Sequence, residues 1–190
     1  VRVEVRGAVP AGPVVVAAKH QSMLDVLILF RALDQARFVV KRSLLYAPFF
    51  GLYTWRTGSV FIDRAARGQG RRVLSGLSAG DRAGQVVIYP QGTRVPPGTE
   101  APYRRGAAMI AREFDREIVP AATNAGHFWA KGGAIRGPGV AVVEFLPALR
   151  PGNDDDTTMT RLRTAIEPAS ERLGREAEAA IARPAQAPRD

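Results

Sequence analysis

The chain has 190 residues, 46% of them apolar, no cysteine and two histidines, and a formal charge of +9 from 27 Lys and Arg against 18 Asp and Glu. That length buries a core without staples, the composition argues against disorder, and the missing thiols exclude disulfides, zinc–thiolate centres and a Cys nucleophile while fitting a reducing compartment. The positive excess calls for an anionic partner, whether nucleic acid, anionic lipid or a phosphate-bearing substrate, although most basic residues are dispersed enough to be an ordinary solvated surface.

The run Val14-Val15-Val16-Ala17-Ala18, bounded by Gly12-Pro13, reads as a buried strand. An apolar helix follows over 22–34, so His20 sits in a strand-to-helix turn. Ser22 as N-cap puts Asp25 at the third helical position, near the point where the chain enters. The pattern has two readings. Ser22-x-x-Asp25 is a capping box in which Asp25 only satisfies backbone donors. Alternatively His20 is a general base, since imidazole titrates near neutral pH, and Asp25 fixes its tautomer and stabilises the imidazolium.

Further strands are expected at Phe38-Val39-Val40, Ser59-Val60-Phe61-Ile62, Val86-Val87-Ile88-Tyr89, Ile118-Val119-Pro120-Ala121-Ala122 and 140–145. Helices are expected near 66–80 and 104–114. The alternation predicts an α/β fold, a mostly parallel sheet flanked by helices on both faces. A C-terminal helix over 154–183 starts on one of Asp154 to Asp156, with Pro168 placed to kink it, and residues 184–190 read as a frayed tail. Residues 1–183 are thus expected to form one domain. The segment 44–55, rich in Leu, Tyr, Phe and Trp, is too short to span a bilayer and suits either core or a lipid-contacting surface.

Charged and polar groups collect at the carboxyl ends of these strands: His20, Lys41, Asp63-Arg64 and Gln91-Gly92-Thr93-Arg94. In a parallel sheet those ends share one edge and line one crevice. Ser22 is committed to its cap and no Gly-x-Ser-x-Gly elbow exists, so the hydroxyl to be activated belongs to the substrate. Lys41, Arg64 and Arg94 would bind a substrate phosphate, with Gly92 letting backbone amides approach it. His127 has no evident partner in the sequence and reads as structural.

Together these residues resemble the glycerolipid acyltransferases that include the lysophosphatidate acyltransferases. His20-x4-Asp25 matches the first motif of that family, Gly58-Ser59-Val60-Phe61-Ile62-Asp63-Arg64 the second, and Tyr89-Pro90-Gln91-Gly92-Thr93-Arg94 the third. Val119-Pro120-Ala121 stands where the family has its Pro-centred fourth motif, and the likeness spans residues 14–146. The resemblance implies acyl transfer from acyl-CoA or acyl-carrier protein to the free hydroxyl of a lysophospholipid, without an acyl-enzyme, metal or bound cofactor. In it, His20 and Asp25 are catalytic; Lys41 and Arg94 bind the acceptor phosphate, Arg64 assists, and Gly92 and Thr93 shape the pocket.

Two departures stand out. The family usually has Glu where this chain has Gln91, which can donate and accept hydrogen bonds but carries no charge. Family members also usually carry an N-terminal membrane segment, which this chain lacks. The implied setting is a membrane surface on the cytoplasmic side, reached through a segment upstream of Val1 or through the aromatic stretch and the positive charge. Alternatives are an acyltransferase acting on glycerol 3-phosphate or a lyso-ornithine lipid, and a non-enzymatic basic domain that binds lipid or nucleic acid. The nucleic-acid reading is disfavoured, because the aromatics cluster with Leu and Pro rather than with Lys and Arg.

Overall fold

The computed structural model describes residues 1–42, 59–62, 77 and 84–182. The aromatic segment 44–55, the helix expected at 66–80, Arg64 and the tail 184–190 lie outside the described residues.

Seven described strands form one sheet: β1 (Arg2–Arg6), β2 (Val15–Ala18), β3 (Arg37–Lys41), β4 (Val60–Ile62), β5 (Val86–Ile88), β6 (Ile118–Thr123) and β7 (Val140–Phe145). Their spatial order is β1-β7-β6-β2-β5-β3-β4. β2, β3, β4, β5 and β6 pair in parallel, while β7 runs antiparallel to β6 and parallel to β1. The helices are α1 (Met23–Ala32), α2 (Gly106–Glu113), α3 (Ala125–Phe128) and α4 (Asp155–Ala182). This is the mostly parallel α/β arrangement that the alternation predicts.

The period-2 alternation of β2 splits its side chains between the two faces. Val16 and Ala18 pack with Leu29 and Ile28 of α1 and with Phe38. Val15 and Ala17 pack with Ala107 and Ile110 of α2 and with Met159 and Leu162 of α4. All four strand residues are buried, which is why the segment reads as an unbroken apolar run rather than an alternating one.

The edge strand β1 is absent from the expectations. Its sequence does alternate, but Val3 is 50% exposed, so the strand is held by its ladder to β7 and not by burial. Pro120 lies inside β6, a position that normally excludes proline. Here the even-numbered residues of β6 face the chain leaving β7: Pro120 only accepts, from the Leu146 N–H, while Ile118 exchanges bonds with Leu149. No donor is required at 120. At the start of α4, the Asp154 carboxylate accepts from the backbone N–H and hydroxyl of Thr157, a side-chain cap that holds its pKa below the ordinary carboxylate range. The helix then continues through Pro168.

Chain direction decides where a ligand can sit. From β2 the chain passes through α1 to β3, on the far side of β5. From β5 it passes through α2 to β6, on the far side of β2. The two connections diverge onto opposite faces, so a crevice opens between the carboxyl ends of β2 and β5.

Candidate active site

His20 leaves β2 at the mouth of that crevice. Its side chain is 14% exposed, and its Nδ1 lies 2.9 Å from Oδ1 of Asp25, whose side chain is 1% exposed. The other carboxylate oxygen, Oδ2, accepts the backbone N–H groups of Gln21 at 2.8 Å and Ser22 at 2.6 Å. Ser22 caps α1, taking the Leu24 N–H on its Oγ and donating its hydroxyl to the Trp129 carbonyl. One oxygen of Asp25 thus completes the capping box and the other meets the imidazole. The cap fixes the carboxylate and the carboxylate fixes the imidazole. A carboxylate only accepts, so Nδ1 carries the proton and Nε2 presents a lone pair.

The loop that follows β5 closes on His20 from the neighbouring strand. Tyr89 stacks its ring on the imidazole, with centroids 4.0 Å apart and planes at 23°, and the Val95 N–H donates to the His20 carbonyl at 2.8 Å. The Tyr89 hydroxyl is buried close to Asp25. Burial first, and then the nearby negative charge of Asp25, push the phenol well above its ordinary pKa. It therefore stays protonated and acts on His20 as a flat wall.

Between Tyr89 and Val95 the chain turns at Gly92, whose φ of +68° suits glycine and whose N–H donates to the Tyr89 carbonyl. Gln91 is 4% exposed, and neither its amide nitrogen nor its oxygen has a partner among the described residues. Such a group costs about 1–3 kcal/mol unless something polar meets it.

The Acyltransferase family model matches residues 1–124. The chain belongs to that family.

Among curated relatives, this chain is 33% identical over 174 residues to the 1-acyl-sn-glycerol-3-phosphate acyltransferase of Pseudomonas aeruginosa, covering 88% of this chain and 66% of the relative. It is 38% identical over 126 residues to the mouse 1-acyl-sn-glycerol-3-phosphate acyltransferase alpha, covering 63% and 44% respectively. The chain thus spans about two thirds of the bacterial relative and less than half of the mouse one. A solved structure, the 1-acyl-sn-glycerophosphate (LPA) acyltransferase PlsC from Thermotoga maritima, superimposes with a TM-score of 0.72 at 22% identity, over 97% of this chain and 74% of that one. This places the fold.

Of the residues singled out in the sequence, His20 and Asp25 are hydrogen-bonded, and Gly92, Thr93 and Arg94 lie on the loop whose Val95 N–H donates to the His20 carbonyl. Lys41 ends β3, exposed. The strand registers put both Lys41 and Lys19 level with Pro90, so Lys41 stands about 10 Å from the His20 strand, two strand spacings along the edge. Neither Lys41 nor Arg94 makes an ion pair among the described residues, whereas Arg105, Arg112 and Arg163 are each bound to a carboxylate. Arg64 lies outside the described residues.

Tyr89, the wall behind the imidazole, is missing from the sequence-based set. Its place directly after a strand, in the motif flanking Gln91, was the available signal. A second omission is Lys19, whose side chain is 3% exposed and bound to Glu167 of α4 through both carboxylate oxygens at 2.8 Å. Tyr103 donates to the same carboxylate, and burial with that bond raises its pKa. This network ties α4 to the residue preceding His20.

Proposed function

We propose that the chain transfers a fatty acyl group from a thioester, acyl-CoA or acyl-carrier protein, to the free hydroxyl of 1-acylglycerol 3-phosphate, giving phosphatidic acid. The observation that carries this reading is the His20–Asp25 pair, pre-oriented by a helix cap and an aromatic wall at the mouth of the switch-point crevice. Nε2 of His20 takes the proton of the acceptor hydroxyl as its oxygen attacks the thioester carbonyl. The tetrahedral intermediate collapses to the ester, and the thiolate leaves with the proton from the imidazolium. Asp25 stabilises that imidazolium through Nδ1–H, and a dyad of this kind supplies roughly 10²–10⁴-fold in rate.

Lys41 and Arg94 supply positive charge for the acceptor phosphate on the same edge, with Arg64 assisting and Gly92 and Thr93 shaping the turn. No cofactor or metal enters any step. A lipid acceptor and a fatty donor suit an enzyme working at a membrane surface, on its cytoplasmic face. The names of the relatives support lysophosphatidate as acceptor. The unpartnered Gln91 amide, uncharged where the family usually has Glu, favours a second reading with a different acceptor, glycerol 3-phosphate or a lyso-ornithine lipid.

An acceptor panel separates the two. The chain is incubated with a long-chain acyl-CoA in liposomes containing lysophosphatidate, glycerol 3-phosphate or the lyso-ornithine lipid, and products are identified by mass spectrometry. Phosphatidate as the dominant product is the expected outcome. Turnover of another acceptor with lysophosphatidate untouched would replace the proposal.

A further inference from the structure

The imidazole of His20 is bounded on one face by a ring that the sheet itself supplies. Tyr89 stands directly after β5, the strand beside β2, and is 9% exposed. Its ring centroid lies 4.0 Å from that of His20, with the planes at 23°. The same ring meets Phe38 of β3 at 6.5 Å, and Phe38 meets Phe30 of α1 at 4.1 Å. Its hydroxyl end is buried close to Asp25. The phenol is thus held at its face and at its tip, and it cannot swing away from the imidazole without disturbing the packing of β3 and α1.

Apolar bulk alone would keep the imidazole in its plane; what an aromatic ring adds is a preference for charge. Its π face carries the negative lobe of a quadrupole, which attracts a cation lying over it within about 6 Å. While Nε2 still presents its lone pair, the His20 ring gains little from that face. Once Nε2 takes the acceptor proton, the ring is an imidazolium between the Asp25 carboxylate at 2.9 Å and the Tyr89 face at 4.0 Å. The attraction strengthens where water is excluded, and the His20 side chain is 14% exposed. An interaction stronger after proton transfer than before it lowers the barrier and does not tighten ground-state binding.

We propose that Tyr89 is a positioning residue for the acyl transfer, whose π face, rather than its hydroxyl or its bulk, stabilises the imidazolium that forms at His20. The inference rests on the reading of His20 as the base. Its effect falls on the chemical step and not on the affinity for the acceptor.

The test is the rate of a single turnover with lysophosphatidate and a long-chain acyl-CoA, which reads the chemical step. Tyr89→Phe is expected to stay within about threefold of the parent and Tyr89→Leu to fall about tenfold, with the acceptor KM unchanged in both. Phenylalanines bearing one, two or three ring fluorines at position 89 keep the shape while draining the π face of negative potential. Across that series the rate should fall stepwise, the trifluorinated ring approaching Tyr89→Leu. Proton NMR checks the stack: the His20 ring signals, assigned with His127→Gln, should be shifted upfield by the neighbouring ring in the parent and in every aromatic variant, but not in Tyr89→Leu. A parent without that shift would overturn the proposal, and so would a rate indifferent to fluorination, which reduces the ring to a steric wall. A loss in Tyr89→Phe as large as in Tyr89→Leu would also overturn it, by giving the role to the hydroxyl. His20→Ala separates the two levels: unchanged turnover there removes the base itself, whereas a loss of about a hundredfold there without fluorine dependence removes only the role of Tyr89.

Discussion

Asp25 divides its oxygens between a helix terminus and an imidazole, and a substitution can separate those duties from the binding of substrate. Asn at 25 keeps the shape but presents an NH₂ group either to two backbone N–H donors or to the Nδ1–H of His20. Turnover is expected to fall about a hundredfold or more, with little change in the KM for the acceptor. Thermal stability should fall with it, since a buried donor loses its acceptor; steady-state kinetics and a melting curve read both. Lys41→Ala and Arg94→Ala should do the reverse, raising the acceptor KM by about tenfold with a smaller change in kcat and a weaker dependence on salt. The dyad is legible because its members are five residues apart and the cap between them is local chemistry. Tyr89 is not legible in the same way: its stacking on His20 requires β2 and β5 to be neighbours, which only the assembled sheet decides. The burial of Gln91 is likewise invisible in a polar residue seen only in sequence.

At the scale of elements, α4 is both a lid on the core and a brace for the His20 turn. Its Leu162 is fully buried beneath β2 and α2, so Leu162→Ala should cost about 2–5 kcal/mol in urea unfolding. Its Glu167 is the counter-ion of a lysine that is almost wholly buried. Glu167→Gln would leave that ammonium unpaired in the interior, at a cost of about 3–5 kcal/mol; unfolding at no cost would mean that Lys19 finds another partner. The strands packed on both faces announce themselves as short apolar runs rich in Val and Ile. β1 does not, because an exposed edge strand is specified by hydrogen bonds to β7 rather than by an apolar pattern. The brace is hidden for a related reason: Lys19 and Glu167 are 148 residues apart, and no local pattern links them.

For the whole molecule, the divergence of the chain at β2 and β5 is what brings the scattered motifs to one edge of the sheet. None of the described helices is long and apolar enough to cross a membrane. Stability should respond to pH through His127. Burial lowers its pKa from the model-compound value of 6.5, so the unfolded chain binds the proton more readily than the folded one. The contribution is fully present above the unfolded pKa and is lost as pH falls from about 6.5 toward the folded value. Melting temperatures at about pH 7.5 and 5.5 should therefore differ less in His127→Gln than in the parent, and an identical difference would remove His127 from the account. The central claim, that the imidazole held by Asp25 and Tyr89 is the base in acyl transfer, is tested most directly by one comparison: turnover of lysophosphatidate with a long-chain acyl-CoA by the parent chain and by His20→Ala, each checked for an intact fold. The account predicts a loss of at least about a hundredfold in the folded variant; turnover unchanged by the substitution would contradict it.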